Sequence, residues 1–377
     1  DLNATQHQSD VNASGPLVLP VAPGQSIPEG YNRLLVGKGM WSTAPPMPEP
    51  RLNFGATGHA GKLYVFGGKV KNNQNMLELT ATARVFDPGT GQWSSLPSMP
   101  VAAVCGTVSV NGKILVLLSP SGPTGTSMSL KSYEPGTGQW TDLNSLPENF
   151  PPTTSLYKGK VYVAGKVSGA ISSITKVYAY DPIADNWSEK TAIPASMSSV
   201  NLGVCFEKLF AVGERSSGAA GTTPCLYQME DNGSWMAMNP PSNSASHFTF
   251  LPDRILALAL QEGLMMSATN KVEIYDVASN SWLVGSSLLS SRKSFQSAVL
   301  EDVVYLIGGS NNNGASTTYL ETVEKAPLSS FTDLYFRNGN VSAGGTAVSA
   351  EVSDGSITTA QLNESILKYL RPEITSS

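Results

Sequence analysis

The 377-residue chain is short of charge, histidine and cysteine, and each shortage removes a class of function. Only 14% of residues are Asp, Glu, Lys or Arg, and a net charge of −5 carries no basic field. Nucleic acid is therefore not an expected partner. No apolar run reaches the ~18 residues of a transmembrane segment. The three histidines, His7, His59 and His247, and the three cysteines, Cys105, Cys205 and Cys225, form no metal-binding spacing. No phosphate loop or Ser/His/Asp arrangement is found, and no cofactor or metal is expected. An odd cysteine count excludes full pairing. The thiols read as small buried hydrophobes, with a Cys205–Cys225 bridge as the alternative. No signal peptide remains in the sequence, and a mature chain would have lost one.

Turn formers are abundant instead. The chain has 35 Gly and 25 Pro, as a turn-dense β fold requires. Its six tryptophans are Trp41, Trp93, Trp140, Trp187, Trp235 and Trp282. A period near 47 residues is too long for a helical hairpin and fits one four-stranded propeller blade.

The repeat is legible unit by unit. VFDPGTGQW (85–93), SYEPGTGQW (132–140), AYDPIADNW (179–187) and IYDVASNSW (274–282) align, and YQMEDNGSW (227–235) is one residue shorter. In each, a strand runs into an acid that can bond backbone N–H groups two residues on, then a Gly- or Asn-containing turn, then a new strand. Proline-rich segments follow and end that strand. A short small-residue strand comes next, then an apolar one: KLYVFGG (62–68), KILVLLS (113–119), KVYVAGK (160–166), KLFAVGE (208–214), RILALAL (254–260) and VVYLIGG (303–309). Blades 1 and 6 end this strand in Gly-Gly, blades 3 and 4 keep one glycine, and blades 2 and 5 keep neither.

The apolar strand ending in Gly-Gly, the Tyr-Asp-Pro run, the tryptophan some 25 residues later and Met-Pro-x-x-Arg resemble Kelch repeats over residues 39–327. The resemblance implies an all-β, six-bladed Kelch propeller. Blades are expected at 53–97, 101–144, 151–191, 198–239, 245–286 and 293–326. Residues 39–45 are expected to supply the missing outer strand of the sixth, so that the N-terminal strand closes the ring and hides two sheet edges. Residues 1–38 read as a leader. Residues 328–377 read as a linker ending in a short amphipathic helix, TTAQLNESILKYLR, with Thr358 and Gln361 as a capping box and Pro372 as the stop. This tail resembles linkers that precede immunoglobulin-like modules in large secreted bacterial proteins of the planctomycete–verrucomicrobial type. That resemblance implies a secreted or cell-surface protein with further domains C-terminal to this chain.

Some Kelch propellers are enzymes. Galactose-oxidase-like chemistry requires copper held by two imidazoles and two tyrosines, yet His59 and His247 belong at opposite ends of the channel. Mutarotation or epimerisation, as in the N-acetylneuraminate epimerase group, requires an acid–base pair at the channel mouth. Glu214, Arg215, Arg51, Arg292 and Lys166 are the candidates, with Glu214-Arg215 also readable as a solvated ion pair. The expected role is non-catalytic binding of a protein or glycan, with a sugar-active enzyme as the alternative. The loops between second and third strands are long and different in every blade, whereas the turns on the opposite face are short and repetitive. Diversity on a fixed frame reads as a recognition face, with drift of unconstrained loops as the alternative.

Candidate binding residues on that face are Arg51, Asn53, Asn201, Arg215, His247, Met265, Met266, Arg292 and Lys293. Arg51 and Arg292 match the arginine that grips acidic ligands in peptide-binding Kelch domains. The tryptophans share one repeat position, so they are expected to pack between blades rather than form a sugar platform.

Overall fold

The computed structural model describes residues 37–120, 128–149, 153–168, 173–216, 222–262, 267–277, 279–312 and 316–331. It also describes short strands at 18–20, 31–35, 334–337, 341–343 and 346–348. Two units are distinguished, Lys38–Leu328 and a second built from Asp1–Gly37 with Ser329–Ser377.

Lys38–Leu328 is an all-β arrangement of six four-stranded antiparallel blades. Blade 1 runs Gly55–His59, Lys62–Phe66, Ala83–Asp87 and Gln92–Leu96. Blade 2 is Val104–Val110, Lys113–Ser119, Ser129–Glu134 and Gln139–Leu143. Blade 3 is Ser155–Tyr157, Lys160–Ser168, Ser173–Asp181 and Asn186–Ile193. Blade 4 is Met197–Cys205, Lys208–Ser216, Thr222–Met229 and Trp235–Met238. Blade 5 is Ala245–Leu251, Arg254–Glu262, Val272–Asp276 and Ser281–Val284. Blade 6 holds Gln296–Leu300, Val303–Ile307 and Val323–Pro327, and the strand paired to its third is Ser42–Ala44.

The repeat chemistry explains the hairpins. Asp87 accepts from the Gly89 N–H at 2.9 Å and Asp181 from that of Ile183 at 3.0 Å, which sets the turn. The lysine opening the second strand reaches an acid at the end of the third or in the turn after it: Lys62 to Asp87 at 3.0 Å, Lys160 to Asp181 at 3.1 Å, Lys208 to Asp231 at 2.7 Å. These exposed pairs align the turns and contribute little stability.

Burial is organised between blades. Separate apolar clusters lie at the seams 1/2 (Phe66, Cys105, Tyr133), 2/3 (Leu117, Val163, Tyr180), 3/4 (Val177, Met197, Ala211) and 4/5 (Phe210, Phe248, Tyr275). Another, holding Phe54, Phe86, Tyr305 and Val323, spans blades 6 and 1. Each blade buries both faces, so a single sheet has no core of its own.

The tryptophans lock these seams. Four sit opposite an aromatic of their own blade, Phe86↔Trp93, Tyr133↔Trp140, Tyr180↔Trp187 and Tyr275↔Trp282, with ring centroids 5.0, 4.8, 5.0 and 5.1 Å apart, whereas Trp235 faces Met229. Five indole N–H groups donate to a carbonyl at the end of the preceding blade: Trp93 to Pro45, Trp187 to Asn144, Trp235 to Thr191, Trp282 to Asn239 and Trp41 to Ser286. Trp140 Nε1 is buried without a partner. The indoles are thus committed to interblade packing.

The three cysteines are free and buried, so the alternative Cys205–Cys225 bridge is not formed. Burial pushes the thiols up, Cys225 to about 11, which keeps them unreactive.

In the other unit, Val18–Pro20 and Tyr31–Leu35 flank Leu334–Arg337 in an antiparallel sheet, and Val341–Ala343 pairs with Thr346–Val348. The leader and tail, read from sequence as separate flanks, therefore share a sheet. Local pattern cannot reveal pairing between segments about 300 residues apart. The expected helix at 358–371 lies outside the described residues.

Candidate functional site: the axial cavity

The first strands of all six blades line one cavity of about 670 Å³. These strands converge, so their residues are small. A Cβ on Gly55 would strike Thr107 of blade 2, and one on Gly203 would enter the Phe250 ring of blade 5. The wall carries backbone and short polar side chains, among them Thr57, Thr107, Thr154, Ser199, Asn201 and Gln296, beside apolar ones such as Met197, Val200 and Phe250. Its titratable side chains are Lys166, His247 and the buried Cys105 thiol, and no carboxylate belongs to it. Among the described residues no three His, Cys, Asp or Glu side chains cluster as metal ligands would.

His247 lies 2.8 Å by Nε2 from Ser297 Oγ, which also accepts from the Thr249 hydroxyl at 2.7 Å. The Phe295 ring is 5.2 Å away. Desolvation with no compensating carboxylate lowers the imidazole pKa to about 4. His247 is therefore neutral at pH 7. Between the ordinary value of 6.5 and about 4 the unfolded chain binds the proton and the folded one does not. Stability is thus fully present above pH 6.5 and falls as pH drops toward 4, by at most about 3 kcal/mol. Urea titrations at pH 7 and pH 4.5 should show a smaller loss for His247→Gln than for the wild type, and an equal loss would contradict this assignment.

The arginines expected to grip a ligand require correction. Arg51 and Arg292 are each 0% exposed. Arg292 Nη1 donates to Gly308 O at 3.0 Å, and its Nη2 donates to Glu324 Oε1 at 2.6 Å and to Ser290 Oγ at 3.1 Å. Arg51 repeats the pattern in blade 1: Nη1 to Gly67 O at 2.6 Å, Nη2 to Thr82 Oγ1 at 2.9 Å and to Glu49. Burial lowers both pKa values, with the neighbouring glutamates opposing the shift.

The two blades that keep this arginine are the two that keep Gly-Gly, and the geometry explains the pairing. At Gly67, Gly68, Gly308 and Gly309 φ is positive (61, 87, 62 and 94°), which turns the chain out of the second strand. The turn presents the first glycine's carbonyl to the arginine. It also lets Gly68 N donate to Ala103 O at 2.7 Å and Gly309 N to Arg51 O at 3.0 Å, across the next seam. Doublet and arginine are one structural unit. In blades 2, 3 and 4, without the doublet, the second strand continues instead, to Ser119, Ser168 and Ser216. Blade 5 reproduces the turn in part with Ala259 at φ 54°.

Of the remaining candidates, Asn201 and His247 share the cavity wall. Arg215 is exposed outside that wall, with Nε donating to Thr223 Oγ1 at 3.1 Å. Lys293 is exposed and its backbone bridges to Ser310. Asn53 is half-buried at φ 50° and donates its N–H to Ser294 O. Met265 and Met266 lie outside the described residues. Selection of candidates by charge passes over the hydroxyl wall, whose signal is the recurrence of Gly, Ser and Thr in and before the first strands.

Fold and cavity define a six-bladed β-propeller, and residues 50–100 match the Kelch motif family. A Kelch-like protein of Aspergillus terreus is 32% identical over 75 residues, covering 20% of this chain and 16% of that protein. An F-box/kelch-repeat protein of Arabidopsis thaliana is 33% identical over 86 residues, covering 22% of each. The chain thus spans less than a quarter of the curated relatives it matches. The solved structure of YjhT superposes with a TM-score of 0.60 at 14% identity, covering 74% of this chain and 96% of that one, a likeness of fold. Together these matches support a Kelch-repeat protein, a class whose propellers commonly serve as protein-interaction modules. No helix among the described residues is long and apolar enough to cross a membrane.

Proposed function

We propose that this chain is a non-catalytic binding module of a secreted or cell-surface multidomain protein. Its ring, closed by Ser42–Ala44 on the last blade, recognises a protein or glycan through the axial cavity and the long-loop face around it. The observation that carries this reading is the cavity wall: about 670 Å³ bounded by all six blades, rich in hydroxyl and amide groups and without a carboxylate. Such a surface offers directional hydrogen bonds to a polar ligand. A mutarotase- or epimerase-like reaction would draw on an acid and a base in the cavity. Glu214 and Arg215 stand outside the wall, and His247 is a weak base there.

The test is a glycan-array and peptide-library screen with the full chain. A saturable ligand should bind at least about tenfold more weakly to Ser199→Trp, which fills the cavity. It should bind equally to Thr90→Trp, on the short-turn face. Loss confined to Thr90→Trp would overturn the choice of face.

A further inference from the structure

The cavity wall is uneven, and its irregularity is at blade 3. There the ladder between first and second strands stops at Ser155↔Tyr162, because the first strand is only Ser155–Tyr157. The second strand nevertheless continues to Ser168, paired on its other side through Lys166↔Thr175 and Ser168↔Ser173. Among the described residues its inner edge beyond Val163 has no ladder partner. Blade 3 is the blade whose second strand reaches the cavity, through Ala164, Gly165 and Lys166. In the other five blades the first strand supplies the wall.

The uncovered edge places a cation where the rest of the wall is neutral. Lys166 is half-buried, and among the described residues its ammonium group has no carboxylate or hydrogen-bond partner, its backbone alone being paired in the ladder to Thr175. The lysines at the start of second strands, by contrast, are paired with acids, as Lys62 is with Asp87 and Lys160 with Asp181. The groups sharing the cavity with Lys166 are uncharged donors and acceptors, including Thr153, Thr154, Ser198 and Ser199. Thr107 Oγ1, also of the wall, is buried with no partner. A half-buried ammonium gains most from a single anionic oxygen group, and the surrounding hydroxyls from a ligand with hydroxyls of its own.

We propose that the axial cavity takes a small hydroxylated organic carboxylate, its carboxyl group on Lys166 and its hydroxyls on the Thr and Ser side chains of blades 2, 3 and 4. This rests on the cavity-binding reading above and narrows it to one ligand class. The cavity volume suits one or two sugar-sized units.

Isothermal titration of the full chain with D-gluconate and D-galacturonate, against neutral D-glucitol and D-galactose, tests the assignment. At least one acid should bind about tenfold or more tightly than its neutral counterpart, and added salt should weaken it. Lys166→Gln should abolish that preference while melting as the wild type does, and Lys166→Arg should retain most of it. Equal binding of acid and neutral compound, or a preference that survives Lys166→Gln, overturns the proposal. If library ligands bind the cavity regardless of Lys166, the anion assignment fails and the binding module stands. If neither these acids nor any library ligand binds, both fail.

Discussion

Arg292→Ala should lower the stability of the propeller by about 3 to 5 kcal/mol, the range for removing one partner of a buried ion pair. Both side chains are enclosed, at 0% and 2% exposure. Glu324 also accepts from Leu289 N at 2.8 Å and from Ser290 N at 3.1 Å, so it is held in place when the guanidinium is gone. The variant therefore keeps a buried carboxylate without its counter-charge and frees the carbonyl of Gly308 as well. At a few degrees per kcal/mol for a domain of this size, the melting temperature should fall by roughly 10 °C. Arg51→Ala should cost less, because Glu49 is 25% exposed and water can replace part of what it loses. Arg292→Lys should recover part of the stability by keeping the charge but not the forked donors. Calorimetry of the three variants decides. If Arg292→Ala melts like the wild type and loses only ligand binding, the arginine is a recognition residue after all.

Deleting residues 39–45 should abolish the single cooperative melting transition. The segment supplies Ser42, Thr43 and Ala44 opposite Lys325, Glu324 and Val323. It also carries Trp41, which donates to Ser286 O at 3.2 Å, and Pro45, which accepts from Trp93 at 3.1 Å. Ala44 packs against the cluster shared by blades 6 and 1. Its loss opens the edge of Val323–Pro327 and loosens two seams together. Because every blade depends on its neighbours for a core, damage at one seam spreads through nearest-neighbour coupling. Calorimetry should show a broadened or split transition, and a hydrophobic dye should bind the native protein. A sharp, unshifted transition in the deletion variant would refute closure by this strand.

The repeat carried most of the fold into the sequence. Acid–turn–tryptophan segments mark the third and fourth strands, because Asp87 and Asp181 make the turn bonds that their spacing implies. Alternating small and apolar runs mark the first two. The tryptophans were legible as packing residues because all occupy one repeat position. The candidate site was legible only in part. Asn201 and His247 do line the cavity, whereas the choice of Arg51 and Arg292 followed charge and family likeness.

By itself, then, the sequence determined an all-β six-bladed propeller, the number and order of its blades and the packing role of its tryptophans. These follow from local chemistry repeated at a constant interval. Tertiary structure alone decided that the arginines are spent on Gly67 and Gly308, that the tail and leader share a sheet, and that Lys166 lines the axial cavity. Those outcomes depend on where six strands converge and where one of them stops short, and no residue records in its own neighbourhood what lies on the far side of a ring.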